Sequence, residues 1–156
     1  MNHAPYELYL YQRILICGNN QPSTAPMPLD QENFGYNATV MDHFQNPRNA
    51  GDMENPSCIG LARNSDCGDL LKLYLRIEDE RIVDAKFKTY GCGAAIASSS
   101  KLTEMLIGRT LEAAARIKNT DVAEALGGLP AHKVHCSVLA QQATAAALAD
   151  WQQRQT

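Results

Sequence analysis

Leu71-Lys72-Leu73-Tyr74-Leu75-Arg76-Ile77-Glu78-Asp79-Glu80-Arg81-Ile82-Val83-Asp84-Ala85-Lys86-Phe87-Lys88-Thr89 is the stretch that decides the fold. Leu71, Leu73, Leu75 and Ile77 alternate with Lys72, Tyr74 and Arg76, the period of two expected of a half-buried strand. Ile82, Ala85, Phe87 and Thr89 interleave with Asp84, Lys86 and Lys88 beyond the polar Glu78-Asp79-Glu80 turn, so the two runs predict an antiparallel hairpin. Residues before Cys67 are expected to add a third strand. Downstream the period becomes helical: Ala95, Ser99, Leu102 and Leu106 form one stripe, stopped by Gly108. Shorter helices are expected from Thr110 to Ile117 and from a cap at Asn119 or Thr120 to Leu126, where Gly127-Gly128 ends the run. After a loop at Leu129-Pro130-Ala131-His132-Lys133, a last helix begins near Cys136 and turns Val138, Ala145, Leu148 and Trp151 to one side. Upstream, Asn37 to Phe44 reads as a short helix closed by Asn46-Pro47. Strands followed by helices in this order predict an α+β domain, a small antiparallel sheet of about three strands covered by helices.

A chain of 156 residues with 45% hydrophobic content is one domain's worth of sequence and enough for a real core. Its net charge of -3 leaves no basic footprint, which excludes nucleic acid and anionic membrane surfaces as expected partners. No apolar run is long enough to cross a bilayer. Five cysteines, without a dense secreted framework or a signal peptide, point to a reducing interior. The cytoplasm is expected rather than the mitochondrion, because Tyr6 to Ile16 carries only Arg13 as a positive charge. Pro22, Pro26 and Pro28 break any regular period near the start, so residues 1–35 read as a variable, flexible tail; translation beginning at Met27 explains them equally well. Residues 36–152 are expected to form the domain and 153–156 a short tail.

Three cysteines stand in settings suited to a reactive thiolate: Cys67-Gly68-Asp69, Gly91-Cys92-Gly93 and His135-Cys136-Ser137. They are too far apart to chelate through a local loop, so only folding can unite them. Asp69 and His135 supply harder oxygen and nitrogen donors beside two of the thiols, a mixed set that holds metal less permanently than four thiolates. Cys92 and Cys136 fall at expected helix N-termini, where free N–H groups and the macrodipole favour the anion, and both are therefore expected to be thiolate-like. Gly68, Gly91 and Gly93 remove bulk around the sulfurs and permit unusual backbone angles. Buried structural cysteines beside turn glycines are the blander account, and three such settings together outweigh it.

At these motifs the chain resembles the U-type iron-sulfur cluster scaffold family, IscU and the N-terminal domain of NifU. The likeness spans about Tyr36 to Trp151. It rests on Asp42-His43-Phe44 with Asn46-Pro47-Arg48-Asn49-Ala50-Gly51, on Cys67-Gly68-Asp69, on Tyr90-Gly91-Cys92-Gly93-Ala94-Ala95-Ile96-Ala97-Ser98-Ser99-Ser100, and on Leu129-Pro130 through Lys133 to His135-Cys136-Ser137-Val138-Leu139. The resemblance implies cluster or metal ligation by Cys67, Cys92 and Cys136, with Asp69 and His135 as exchangeable ligands. It implies a non-enzymatic assembly platform on which a cysteine desulfurase of the IscS/NifS type delivers persulfide sulfur. An iron donor and a ferredoxin-type reductant complete a [2Fe-2S] cluster that passes to apo-protein acceptors. Cys136 is the expected persulfide acceptor, since His135 and the helix start both support its ionisation. Zinc is an alternative occupant of such a donor set in the isolated protein. Where Isc-type members read Leu-Pro-Pro-Val-Lys this chain has Leu129-Pro130-Ala131-His132-Lys133, which argues against dependence on an Hsp70-type chaperone pair. The chain ends at Thr156 without the later domains of full NifU proteins, as expected of a standalone scaffold or one part of a larger system.

Competing readings are a zinc enzyme using Asp69 or His135 to activate water, a thiol sulfur carrier that assembles no cluster, and a structural zinc module. Cys17 and Cys58 lie outside the motifs and read as incidental thiols. His43 and His132 read as packing or surface histidines, Ser98-Ser99-Ser100 as a small packing face without a nucleophile elbow, and Glu78-Asp79-Glu80 as a solvated turn.

Overall fold

The computed structural model describes residues 35–65 and 68–156; the expected N-terminal tail, Cys17 and Cys67 lie outside the described residues. Three antiparallel strands, β1 (Cys58–Asn64), β2 (Asp69–Glu78) and β3 (Arg81–Tyr90), form one sheet in the order 1-2-3. The expected hairpin is β2–β3, and β1 is the third strand expected ahead of Cys67. Asp79 and Glu80 join the hairpin with φ of 49° and 59°, the left-handed backbone that a tight two-residue turn needs to match strand twist. Leu71, Leu73, Leu75, Ile82 and Phe87 share the fully buried inner face. The outer edge of β3 is closed at two points. Phe87 exchanges backbone hydrogen bonds with Asn49 and Gly51, and Ile82 does so with Arg109 and Gly108.

Among the described residues there are five helices and one 3-10 turn, of which the second and the last helix pack on the sheet and the others on them. Helix α1 (Ala38–Gln45) is capped by Asn37, whose Oδ1 accepts from the Val40 N–H at 3.0 Å. Its His43 is buried, with Nδ1 2.8 Å from the Ser100 Oγ. That hydroxyl already accepts from the Arg48 N–H at 2.8 Å, so its proton is free to point at His43. Helix α2 (Gly93–Leu106) packs among α1, β3 and the last helix, and every side chain from Ala94 to Ser100 is buried. Thr110 caps α3 (Leu111–Ala115). Helix α4 (Asn119–Ala125) is capped one residue ahead of the expected Asn119 or Thr120: Lys118 is the N-cap, and its N–H donates to Asp121 Oδ2 at 2.8 Å. A 3-10 turn at Ala131–Lys133 leads into α5 (His135–Gln155).

The buried face of α5 differs from the expected one. Leu139, Ala140, Ala143, Thr144 and Ala147 are buried, whereas Ala145 is exposed and Val138, Leu148 and Trp151 lie at the margin. The reason is a close approach to β1. A Cβ at Gly60 would stand 2.0 Å from the Ala143 carbonyl oxygen and 2.6 Å from the Ala147 nitrogen, so helix backbone rests directly on the strand. Only alanine-sized residues fit such a seam, and large apolar residues move to its flanks. The same seam fixes where the first turn of α5 lies, and that turn carries His135 and Cys136.

Candidate metal and sulfur site

Asp69 opens β2, Cys92 is the N-cap residue of α2, and Cys136 sits in the first turn of α5. The strand end and the two helix starts meet at one corner of the sheet. One donor atom from each of Asp69, Cys92 and Cys136 lies within 4.8 Å of the other two. The sulfurs of Cys92 and Cys136 are 3.4 Å apart, and the Cys136 thiol donates to Asp69 Oδ2 at 3.9 Å. A sulfur–sulfur separation of that size is a non-covalent contact, far longer than a disulfide bond. His135 is exposed at the rim, its Nε2 3.6 Å from the Cys136 sulfur. Cys67, the remaining ligand expected from sequence, lies outside the described residues.

Gly91 makes the corner possible by lacking a side chain. A Cβ there would come within 2.7 Å of Asp69 Oδ1 and 3.1 Å of the Ala95 Cβ. The expectation of unusual backbone angles at the three site glycines holds for Gly68 alone, at φ +69°; Gly91 and Gly93 have no positive φ and act through lack of bulk.

The electrostatics divide the two thiols. The hydrogen bond from Cys136 holds the Cys92 thiol down at about 6, against the opposing effect of burial, and the nearby Lys133 ammonium assists. Cys136 goes the other way: the proton it shares with Cys92, its burial and the neighbouring Asp69 carboxylate all keep it above the ordinary thiol range. The expectation of two thiolate-like cysteines is corrected accordingly. Two sulfurs in contact cannot both be anionic without a cation between them, so in the metal-free corner Cys92 and Cys136 titrate as a pair that shares a proton. Burial raises the Asp69 carboxyl, opposed by His135, Lys133 and hydrogen bonds from Cys136 and the Cys92 backbone.

Two further residues belong to this corner. Lys133 has its pKa raised chiefly by the Cys92 thiolate, and the buried Tyr36 is raised by desolvation and then by Cys92. Sequence reasoning used Lys133 only as part of a loop motif and Tyr36 only as a boundary, because neither neighbours a site cysteine in sequence. Cys58 is different: buried in the core on β1, it has its thiol pushed up to about 11 by desolvation. His132 is exposed on the 3-10 turn.

A donor set of two sulfurs and a carboxylate within one coordination sphere suits a thiophilic ion or cluster, with the oxygen as the weakest link. Among curated proteins, the chain is 52% identical over 116 residues to the iron-sulfur cluster assembly scaffold protein IscU 1 of Archaeoglobus fulgidus, covering 74% of this chain and 76% of that one. It is 48% identical over 125 residues to the scaffold protein IscU of Escherichia coli K12, covering 78% of this chain and 97% of that one. The crystal structure of the N-terminal part of a NifU-like protein from Brucella abortus shares the fold, with a TM-score of 0.62 at 20% identity, over 76% of this chain and 94% of that one. With the family model for the NifU-like N terminal domain matching residues 35–156, the chain belongs to that family.

Proposed function

We propose that this protein is a scaffold on which iron-sulfur clusters are assembled and from which they are passed on. The observation that carries the proposal is the convergence of Asp69, Cys92 and Cys136, from three separate elements, with one donor atom from each within 4.8 Å of the other two. Relatives at about half identity bear the name of cluster assembly scaffold, which supports the same reading. Cys67 completes a set of three thiolate ligands to a [2Fe-2S] cargo, and Asp69 and His135 compete for the remaining corner. The work is done in the cytoplasm by residues 36–152, and the protein holds and hands over the cluster rather than turning over a substrate. Zinc is the competing occupant of the same donors, and colourless zinc protein that never takes up sulfide would favour it.

Sulfur enters as the outer sulfur of a persulfide on a cysteine desulfurase. The Cys136 sulfur attacks that atom, the S–S bond to the desulfurase cysteine breaks, and the desulfurase leaves as its thiolate. Cys136 must first lose its proton, and the Cys92 thiolate 3.4 Å away and the Asp69 carboxylate are the adjacent acceptors. Reduction of the transferred sulfane sulfur to sulfide takes two electrons, supplied by a ferredoxin-type reductant, and an iron donor provides the metal. A carboxylate is the ligand most easily displaced by an acceptor's thiol, so Asp69 keeps the cluster transferable.

The test is anaerobic reconstitution with iron, cysteine and a desulfurase, scored by iron and sulfide content and visible absorption. Serine at Cys67, Cys92 or Cys136 is expected to abolish the chromophore, while Cys17→Ser, Cys58→Ala and deletion of residues 1–34 leave it. Loss in Cys58→Ala equal to that in the three site variants would overturn the ligand assignment. Mass spectrometry without iron reads sulfur entry: early labelling confined to Cys67 or Cys92 removes Cys136 from the role of acceptor.

A further inference from the structure

Among the described residues, the edge of strand β1 that faces away from β2 pairs with no further strand, and it leads to the site. The Ile59 N–H turns away from β2 and donates to Asp150 Oδ2 at 2.8 Å. In an antiparallel ladder outward and inward groups alternate, so the N–H and C=O groups of Leu61 and Arg63, two and four residues on, also face outward. Asp150 closes the edge at Ile59. Among the described residues no further backbone hydrogen bond closes it at Leu61 or Arg63. Leu61 is 55% exposed, the most exposed of the large apolar residues described.

Beside this edge, between β1 and the first turns of α5, runs a cleft of about 230 Å³. Residues 63–65 form one wall, and His135, Val138, Leu139 and Gln142 form the other. Its lining residues are the apolar Val138 and Leu139, the amides Asn64 and Gln142, Ser65, His135 and Arg63, with no Asp or Glu among them. One end is His135, whose ring lies 3.6 Å from the Cys136 sulfur. The cleft is therefore continuous with the donor corner.

We propose that the Leu61–Arg63 edge and this cleft dock an extended segment of the apo-protein acceptor by strand addition, with an acidic side chain on Arg63 and a cysteine held toward His135. Four outward backbone groups support pairing over three to four residues, and an unpaired edge beside a side-chain pocket is the arrangement by which extended peptides are recognised. The acidic preference follows from Arg63 and from the lack of any Asp or Glu among the lining residues. A volume near 230 Å³ takes one or two side chains and no folded element. The identity of the occupant rests on the scaffold reading, whereas the docking surface itself stands on the edge and the cleft.

The test uses the full chain, metal-free and reduced, with the capped peptide acetyl-Thr-Val-Asp-Val-Thr-Cys-amide as probe. Amide hydrogen exchange at Leu61 and Arg63 is expected to slow at least tenfold with peptide. A peptide N-methylated at alternate positions, or the Arg63→Glu variant, is expected to weaken binding at least tenfold. Peptide that binds without protecting these two amides overturns the proposal, as does equal binding of the N-methylated peptide. Protection that appears without peptide and grows with protein concentration also overturns it, since the edge then pairs with a second copy. Cluster reconstitution is scored separately. Docking in a protein that never assembles a cluster upholds the surface and defeats the scaffold reading, and normal assembly without docking does the reverse.

Discussion

Replacing Gly60 by alanine puts a methyl carbon 2.0 Å from the Ala143 carbonyl oxygen, 2.6 Å from the Ala147 nitrogen and 2.9 Å from the Ala147 Cβ. The first two contacts are with helix backbone, so no rotamer change relieves them. Restoring an ordinary carbon–oxygen contact requires α5 to back away from β1 by more than about 1 Å, and close-packed interiors yield little. Overpacking of a core costs roughly 1–3 kcal/mol, and a clash with rigid backbone places Gly60→Ala at about 3 kcal/mol, a large share of the ~5–15 kcal/mol that holds a domain folded. At about 4 °C per kcal/mol for a domain of this size, the melting temperature falls by roughly 12 °C. The site is expected to respond as well, because α5 carries Cys136. Moving the helix stretches the 3.4 Å contact between Cys92 and Cys136 that holds the Cys92 thiol low, so its pKa rises from about 6 toward the ordinary thiol value. Thermal unfolding of the metal-free protein, together with the pH profile of Cys92 alkylation, measures both effects. A melting temperature within 1 °C of the parent protein would refute the account of the alanine seam, and a fallen melting temperature with an unmoved alkylation profile would refute its link to the site.

The remaining expectations concern titration and cluster release. In metal-free protein the rate of Cys92 alkylation should show a midpoint near pH 6, Cys136→Ala should move it toward 9, and Cys58 should stay unreactive at neutral pH; an unshifted midpoint in Cys136→Ala would mean that the shared proton is not the cause. Asp69→Ala should slow cluster transfer to an apo-ferredoxin severalfold if the carboxylate is the displaceable ligand, and release as fast as or faster than in the parent protein sinks that role. Burial lowers the His43 pKa below its ordinary 6.5, so the folded state favours the neutral ring. The stability contributed is complete above pH 6.5 and is lost as pH falls through the folded value, at no more than about 1.4 kcal/mol per pH unit. Urea unfolding of the parent and of His43→Gln across pH 5–7.5 isolates this slope, and parallel curves would show that His43 does not titrate on unfolding.

By itself the sequence determined the hairpin, the helices and the candidate donors, because each is written in a local pattern. Alternation from Leu71 to Ile77 can bury only one face, Gly108 and Gly127-Gly128 stop helices where they stand, and the cysteines next to Asp69 and His135 announce metal or sulfur chemistry. Tertiary structure decided what depends on distance across the chain. The buried face of α5 is set by its seam with Gly60, 83 positions before Ala143, and no helical periodicity within α5 records that contact. The need for a bare backbone at Gly91 comes from Asp69, which lies across the sheet corner. The coupling of the two thiols was likewise illegible: both cysteines begin helices, and only their 3.4 Å contact makes them share a proton. Tyr36 and Lys133 join the site for the same reason. Short-range pattern encodes secondary structure and ligand type, while pKa values and packing faces depend on neighbours that chain closure alone brings within a few ångströms.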